Sequence, residues 1–312
     1  MTALVVVRPG FQDLLVDGSP RRALRFGLVE GGPLDPPALG LANRLVGNPQ
    51  AACGVECVGR GPVLRAVGGP VRVALAGPLR LAVDGRDQLD RRSIVVPEAA
   101  TCSVAAAPPG LRAWLAVAGG LAVPTVLGSR GVDRPGRLPG LAGRALAAGD
   151  VLEVGRELAG RDAAGPGPSL PRPPPDPGPW RLAVLRGPQW AQVGPAVRRH
   201  LLAHPYTVSP DADRAGLRLL GPPVPPAPAG PQAGRMLSEG TACGAVQLTP
   251  EGLPIVLLAD RGSLGGYAKP LQLTTADTWR LAQARPGTVV RFHLTTLPAA
   301  WRSLRRAWLA AG

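Results

Sequence analysis

The residues with the clearest chemical potential lie in one stretch, 238–269, which reads SEGTACGAVQLTPEGLPIVLLADRGSLGGYAK. Asp260 and Arg261 follow an apolar run of strand length, and a glycine-rich loop then leads to Lys269, the only lysine of the chain. Glycine N–H groups can approach a bound oxyanion closely because no Cβ intervenes. The pattern is consistent with an anion site, and equally with a tight turn that needs glycines at positive φ.

Lys269 is predicted to give a positive charge to an anionic ligand bound over Gly265 and Gly266. A lysine on a flexible stem suits a phosphate or a carboxylate. The alternative is a solvated surface lysine with no ligand.

The elements that must position this loop are two short strands. The apolar runs 244–248 and 255–259 are separated by Pro250, Gly252 and Pro254, which predicts a hairpin. A buried strand that runs into a polar, glycine-rich loop presents that loop at the rim of a sheet or barrel.

Composition predicts a mainly β fold. The chain has 312 residues, enough for two domains, with 42 glycines and 38 prolines, and 45% of its residues are hydrophobic. Many short apolar runs between Gly/Pro turns favour strands, and such closely spaced strands are expected to close into barrels. The predicted strands outside the hairpin are 4–7, 63–67, 71–76, 79–83, 94–97, 102–107, 114–118, 151–154, 181–186 and 289–294.

A few short helices complete the prediction. Asp35 as N-cap, Pro36 at the first position and Gly47 at the end predict a helix between them. An amphipathic segment is predicted at 193–202, and a capping box that starts at Thr274 predicts another helix that ends near Ala284.

The chain is predicted to divide at a Pro/Gly-rich linker. The predicted parts are an N-terminal barrel at 1–159, the linker at 160–179, a second barrel at 180–298 and a C-terminal amphipathic helix at 299–312. On that helix, Trp301 and Trp308 share one face, opposite three arginines. We expect this face to pack on the body of the protein, with a partner chain as the alternative.

Charge and cysteine content restrict the class of protein. The formal net charge is +14, but the arginines are scattered and not interleaved with aromatic residues, so we expect no nucleic-acid partner. Four cysteines and no secretory signal favour a cytoplasmic protein. The uncharged stretch 113–129 is broken by glycines and a proline, so no membrane span is expected.

Metal sites are not predicted. Cys53 and Cys57 have no second pair and no histidine nearby, which favours buried thiols. His200 and His204 are four residues apart on a predicted helix, but a third ligand is missing from the pattern.

Four motifs in order give the chain a family resemblance. They are GGPLDPPALGLANRLVGNP followed by Val55-Glu56, then LAVAGGLAVPTVLGSRGVD, then VSPDADRAGLRLLGP, and then SEGTACGAVQLTPEGLPIVLLADRGSLGGY. Together they resemble the biotin-dependent carboxyltransferase family, also called allophanate hydrolase subunit 2. The resemblance covers nearly the whole chain. The family includes the C-type subunit of 5-oxoprolinase, the KipA regulatory protein and the carboxyltransferase part of urea carboxylase.

The resemblance implies fold and partners. It implies two cyclophilin-like β-barrel domains, corresponding to carboxyltransferase subdomains C and D. It also implies a B-type partner of 5-oxoprolinase, similar to allophanate hydrolase subunit 1, and, in 5-oxoprolinase, an A-type partner of the LamB/YcsF class. That complex uses ATP, with Mg²⁺, to open 5-oxo-L-proline to L-glutamate.

Two segments depart from the family pattern. The family usually has Gln-Asp-x-Gly-Arg where this chain has VDGSPR at 16–21, one residue longer. It usually has Gln-Thr-Thr-Gly-Gly-Tyr or Gln-Pro-Thr-Gly-Gly-Tyr where this chain has GSLGGY at 262–267. An amide and a hydroxyl are lost there, which implies altered specificity or weaker activity if those groups contact substrate.

The leading functional prediction is the C-type subunit of an ATP-dependent 5-oxoprolinase, inactive as an isolated chain. Phosphorylation of a lactam oxygen and attack by water need cations, backbone donors and a carboxylate. The alternatives are a carboxyltransferase chain acting on a urea-like amide, with biotin on a partner chain, and a KipA-like regulatory binding protein. The predicted catalytic residues are Asp260, Arg261 and Lys269, and the predicted substrate- or phosphate-binding residues are Ser238, Glu239, Gly240, Gln247, Gly265, Gly266, Tyr267, Arg130, Asp133 and Arg214.

Overall fold

A computed structural model describes residues 1–19, 21–88, 92–107, 110–138, 141–156, 179–225 and 236–311 of the protein. These residues form two compact units. The described residues of the first fall within Met1–Arg22, Gly31–Arg172 and Trp308–Gly312, and those of the second within Ala23–Glu30 and Pro173–Ala307. The predicted linker at 160–179 lies outside the described residues except for Pro179, so the predicted domain boundaries stay predictions.

The first unit is built on two antiparallel sheets. Its strands are β1 (Ala3–Arg8), β2 (Leu14–Val16), β3 (Gly54–Val58), β4 (Val63–Val67), β5 (Val71–Ala76), β6 (Arg80–Val83), β7 (Arg86–Asp87), β8 (Ile94–Val96), β9 (Thr101–Ala105), β10 (Arg112–Val117) and β11 (Val151–Glu153). One sheet has the order β11-β1-β4-β9-β6-β7 and the other β2-β3-β10-β5-β8. Asp84 and Gly85, both at positive φ, form the predicted hairpin turn between β6 and β7.

Helix α1 (Pro36–Leu45) covers the second sheet. The Asp35 carboxylate accepts a hydrogen bond from the Ala38 N–H (3.1 Å), and Gly47 lies at φ 78° just beyond the helix, so both predicted ends are confirmed. The apolar face of α1 packs on small residues of β5 and β10. This buried cluster comprises Leu41, Ala42, Leu45, Val46, Ala74, Ala76, Ala116 and Ala118.

The N-cap carboxylate lies near a second buried acid. Burial raises the pKa of Asp35 to about 7, and the negative charge of Glu56 adds to the increase. Glu56 is fully buried on β3, where it accepts hydrogen bonds from Leu34 N–H (3.0 Å) and Trp114 Nε1 (3.1 Å), with Arg112 Nε 3.8 Å away. Deprotonation of Asp35 therefore costs more free energy in the folded unit than in the unfolded chain.

The variant Asp35→Asn is expected to gain melting temperature over the parent at pH 8 but not at pH 4. The raised pKa in the folded state means that the parent loses stability as pH rises from about 4 to about 7. Asparagine keeps the N-cap acceptor without the titrating proton, so the gain should reach about 2 kcal/mol at pH 8. Thermal unfolding at both pH values measures it, with Asp87→Asn at an exposed site as control. An equal difference between variant and parent at both pH values would contradict the prediction.

The second unit is a closed barrel. Its strands are β12 (Trp180–Arg186), β13 (Tyr206–Val208), β14 (Gly216–Leu220), β15 (Glu239–Gly240), β16 (Ala245–Leu248), β17 (Pro254–Leu257), β18 (Leu264–Gly265), β19 (Leu271–Leu273) and β20 (Val289–Leu294). Seven of them close in the order β12-β19-β16-β17-β14-β13-β20. The closing pair, β12 and β20, is parallel, with Trp180 opposite Val290 and Val184 opposite Leu294. The mainly β fold predicted from the sequence is confirmed.

Short helices border this barrel. They are α2 (Gly194–Ala203) and α3 (Thr275–Arg280), the latter followed by a 3₁₀ turn at Leu281–Gln283. The Thr274 side chain caps α3 by accepting the Asp277 N–H, as the capping-box pattern predicts. Asp277 in turn accepts the Ala183 N–H of β12 (2.9 Å), which ties the helix to the barrel.

The C-terminal helix α4 (Leu297–Ala311) forms as predicted, but part of its apolar face is exposed. Trp301 is 62% exposed and Leu297 57% exposed. The expectation that this face packs on the body of the protein is therefore wrong for these residues. Amphipathic spacing fixes which residues share a face, but not whether another element lies against it.

Two further expectations concern membrane spans and cysteines. No helix in the described part of the chain is long and apolar enough to cross a membrane. All four cysteines are free, with Cys53, Cys57 and Cys102 buried and Cys243 exposed.

Candidate functional site

The candidate site begins with the predicted hairpin. β16 and β17 pair antiparallel, with Val246 opposite Val256 and Leu248 opposite Pro254, and Gly252 turns at φ 78°. Gln247 lies on β16 and is 7% exposed. The hairpin prediction is confirmed, and the loop that follows β17 starts at the barrel rim.

A two-stranded ribbon brings two of the sequence motifs together. β15 pairs with β18, so that Glu239 lies opposite Gly265 and Gly240 opposite Leu264. Neither Gly265 nor Gly266 has a positive φ, so the turn explanation for these glycines is wrong. They are needed for space: a Cβ on Gly265 would overlap the Gln247 side-chain amide, and one on Gly266 would lie 3.0 Å from the Met236 carbonyl oxygen.

Lys269 is not the flexible, solvent-facing cation that the sequence suggested. Its side chain is 3% exposed, and Nζ lies 2.8 Å from Glu239 Oε1 and donates to the Tyr267 carbonyl oxygen at 3.3 Å. The alternative of a solvated surface lysine is also wrong. In this geometry the Lys269 ammonium fixes the Glu239 carboxylate.

Gln189 is the residue of the site that sequence reasoning missed. It follows β12 and is 4% exposed. Its Nε2 donates to Glu239 Oε1 (2.9 Å), and its Oε1 accepts the backbone N–H of Lys269 (2.9 Å). It thereby holds both members of the ion pair. No local pattern marks it, because its partners are 50 and 80 residues away.

The group that this arrangement presents to solvent is the Glu239 carboxylate. Its side chain is 40% exposed, and both donors converge on Oε1. Hydrogen bonds from Lys269 and then from Gln189 lower the pKa of Glu239 below its ordinary value. A carboxylate that is ionised, oriented and partly exposed can accept a proton from water or from a substrate amide, or bind a cation.

Arg261 repeats the pattern of a buried cation with a more exposed acid. Its side chain is 4% exposed and donates from Nη2 to Glu30 Oε2 at 2.9 Å, while the Glu30 side chain is 37% exposed. Arg261 Nε also donates to the carbonyl oxygen of Thr241 (3.4 Å), just after β15. In both ion pairs, Lys269–Glu239 and Arg261–Glu30, the carboxylate is therefore the more exposed partner.

Asp260 is fully engaged in a buried ion pair. Arg214 donates to it through Nε (2.8 Å) and Nη2 (2.9 Å), and the two side chains are 1% and 7% exposed. The structure therefore brings these two predicted residues together. Their geometry is that of a structural brace that fixes the start of the loop, because both carboxylate oxygens of Asp260 accept hydrogen bonds from Arg214 and the carboxylate is buried.

Arg130 and Asp133 belong to the first unit and form a separate cluster there. The Arg130 N–H donates to Asp17 (2.8 Å), whose other oxygen accepts the Ser129 hydroxyl (2.6 Å). Arg21 lies 3.5 Å from Asp133 and donates to the Gly131 carbonyl oxygen (2.7 Å). The segment that departs from the family pattern, VDGSPR, thus fixes this loop through Asp17 and Arg21.

The remaining predicted residues line the ribbon. Ser238 and Gly240 are exposed, and Tyr267 is partly exposed. The described residues contain no group of three side chains suited to hold a metal ion.

Comparison with known proteins identifies the family. Residues 26–294 match the family described as the carboxyltransferase domain, subdomain A and B. The chain belongs to this carboxyltransferase family. The resemblance drawn from the four motifs is confirmed. The subdomain letters it implied, C and D, differ from the A and B of the matching family.

Curated relatives of this carboxyltransferase chain fall into two groups. It is 30% identical to the C-type subunit of 5-oxoprolinase from Escherichia coli over 312 residues, covering 96% of this chain and 94% of that protein. It is also 30% identical to a putative urea carboxylase of Emericella nidulans over 307 residues, and 27% identical to the urea amidolyase of Saccharomyces cerevisiae over 320 residues. Those matches cover 95% and 97% of this chain but only 24% and 17% of the larger proteins.

Solved structures share the architecture. TTHA0988 is 41% identical, with a TM-score of 0.81, over 94% of this carboxyltransferase chain and 55% of its own. The urea amidolyase of K. lactis has a TM-score of 0.88 over 99% of this chain and 20% of its own. At 24% identity, that likeness shows the fold alone.

Proposed function

We propose that this chain is the C-type subunit of an ATP-dependent 5-oxoprolinase, which opens 5-oxo-L-proline to L-glutamate, and that Glu239 is its catalytic base. The observation that supports this most is the extent of the match to the Escherichia coli protein, which runs over 94% of its length. The matches to the urea enzymes cover a quarter or less of their length.

The proposed chemistry needs a base beside an activated amide. ATP supplies the phosphoryl group that activates the lactam through its oxygen. Water then attacks the ring carbon, and its proton goes to a base as the new C–O bond forms. The ring C–N bond breaks as the nitrogen takes up a proton, and hydrolysis of the resulting acyl phosphate gives L-glutamate and phosphate. We assign that transfer to the second carboxylate oxygen of Glu239, because Lys269 and Gln189 both bind Oε1.

The cations of the site have supporting roles in this proposal. Lys269 keeps Glu239 ionised, as the lowered pKa of that carboxyl indicates. Arg214 holds Asp260 at the start of the loop.

The partners proposed for the chain are a B-type protein, similar to allophanate hydrolase subunit 1, and an A-type protein of the LamB/YcsF class. The complex is proposed to be cytoplasmic.

A second candidate is carboxyl transfer to a small amide such as urea, with biotin carried by a partner chain. It is favoured by the description of the matching family and by the Emericella nidulans relative. Glu239 would then take the proton from the amide nitrogen. The KipA-like regulatory function stays a prediction.

Reconstitution of the complex distinguishes the two proposed activities. The chain is mixed with its cognate B-type and A-type partners, and release of glutamate from 5-oxoproline is followed with and without ATP. We expect ATP-dependent glutamate release from the mixture and none from the single chain. Turnover by the single chain, or a mixture that is active only with biotin carboxylase and urea, would contradict the first proposal.

A further inference from the structure

Gln247 is a buried amide that has no hydrogen-bond partner among the described residues. It lies on β16 and is 7% exposed. Its nitrogen and oxygen are not among the described polar atoms that are both unpaired and fully enclosed, so the amide faces space that a small molecule can reach. A buried amide with unmade hydrogen bonds destabilises the fold relative to an apolar side chain of the same size. This cost indicates a role other than packing.

The Gln247 amide lies against the ribbon of β15 and β18. Successive side chains of a strand point to opposite faces, so Gln247 lies on the other face of β16 from Val246 and Leu248. A Cβ on Gly265 of β18 would overlap the Gln247 amide nitrogen. The absence of a side chain at Gly265 thus gives the amide its space.

The same face of the ribbon carries the Glu239 carboxylate. Glu239 and Gly265 lie directly opposite each other in the antiparallel pair. Residues in that relation have their Cβ positions on one face, about 5 Å apart. Because the Cβ position of Gly265 is where the Gln247 amide lies, the Glu239 side chain leaves the ribbon on the face that the amide occupies.

We propose that Gln247 binds the reacting amide of the substrate, and that the site selects an amide whose N–H and C=O lie on one edge, as in a lactam ring. A glutamine carboxamide presents the complementary edge: Nε2 donates to the substrate carbonyl oxygen, and Oε1 accepts the ring N–H. The carbonyl oxygen keeps a second lone pair for the phosphoryl group. The choice of a lactam rests on the proposed function, whereas the pairing rests on the positions of Gln247 and Glu239.

Selection against a lactone follows from this pairing. Oxygen in place of the ring N–H puts an acceptor opposite Gln247 Oε1, and a site built to accept a substrate N–H rejects an analogue that lacks it. The reconstituted complex is therefore expected to bind 5-oxo-L-proline at least about tenfold more tightly than the corresponding γ-lactone. Titration calorimetry without ATP measures both Kd values.

The variant Gln247→Met tests the residue itself. Methionine has a similar length but no amide, so the Kd for 5-oxo-L-proline should rise by about 10- to 100-fold, and the preference for the lactam over the lactone should fall below about threefold. The control is Gln192→Met, at an exposed glutamine of the second unit, which should leave both Kd values unchanged. Melting temperatures show whether each variant is folded during the titration.

Three outcomes would overturn the proposal. Equal Kd values for lactam and lactone in the parent complex would do so whether or not the variant folds, and so would a parent complex that does not bind 5-oxo-L-proline. The third is a folded Gln247→Met variant that keeps the parent's preference, including one that binds both ligands more weakly by the same factor. That result would assign Gln247 a structural role.

Catalysis is measured separately, as ATP-dependent release of glutamate. Gln247→Met should raise the KM for 5-oxo-L-proline and leave the KM for ATP unchanged. If the complex prefers the lactam through Gln247 but releases no glutamate, the proposed function fails and this inference stands. If the variant releases glutamate with the parent's kcat/KM, this inference fails and the proposed function stands.

Discussion

Replacing Arg214 with methionine is expected to lower the free energy of unfolding of the second unit by about 3–5 kcal/mol. The change removes both hydrogen bonds to Asp260 and leaves a carboxylate that is 7% exposed without its cation. The cost arises mainly from the unpaired buried charge, because methionine retains most of the apolar volume of the arginine stem. Urea unfolding followed by tryptophan fluorescence measures it.

A double variant tests the cause. Arg214→Met combined with Asp260→Leu removes both charges, so it should recover most of the stability lost in the single variant. Arg80→Met, which breaks an ion pair that is more than half exposed on both sides, should cost less than about 1 kcal/mol. If the double variant were as unstable as the sum of the two single variants, the buried ion pair would not be the source of the effect.

Replacing Glu239 with glutamine is expected to lower kcat/KM of the reconstituted complex by about 100- to 10,000-fold. Glutamine has the same size but cannot take the proton from the attacking water. The change also leaves the Lys269 ammonium, which is 3% exposed, without its counterion, so the melting temperature should fall, and the rates are compared at a temperature at which the variant stays folded. ATP-dependent glutamate release, measured at matched saturation with the partner proteins, gives the comparison.

Two further variants distinguish proton transfer by Glu239 from a general effect of removing a negative charge. Asp87→Asn neutralises an exposed carboxylate of the first unit and should leave kcat/KM unchanged. Gln189→Ala removes one of the two donors that lower the pKa of Glu239, so the acid limb of the pH–rate profile should move to higher pH. A rate for Glu239→Gln within about twofold of the parent would show that this carboxylate is not the base.

Secondary structure was the part of the fold most accessible from sequence. Strands β4, β5 and β20 have the predicted bounds, and the caps of α1 were correctly identified at Asp35 and Gly47. Alternation of apolar residues and capping geometry depend on neighbours within a few positions, which the sequence displays directly. Strand order and the parallel closure between β12 and β20 depend on contacts across more than 100 residues.

The site shows the same division. The sequence placed Glu239, Gly265 and Lys269 in one candidate set, and the ribbon of β15 and β18 brings them together. It could not show that Lys269 is buried. The residues next to a lysine in the sequence do not show which carboxylate will form an ion pair with it. The exposure of its side chain depends on every element that packs around it.

The sequence by itself determined the mainly β character, the hairpin of β16 and β17, the helix caps and the family. The tertiary structure alone decided that Gln189 joins the site from beyond β12, that Glu239 is the acid presented to solvent, and that Trp301 of α4 is exposed. The physical reason is the distance along the chain between the residues that interact. Propensity, capping and turn chemistry act between neighbours in the chain, whereas burial and ion pairing are set by whichever distant elements come into contact.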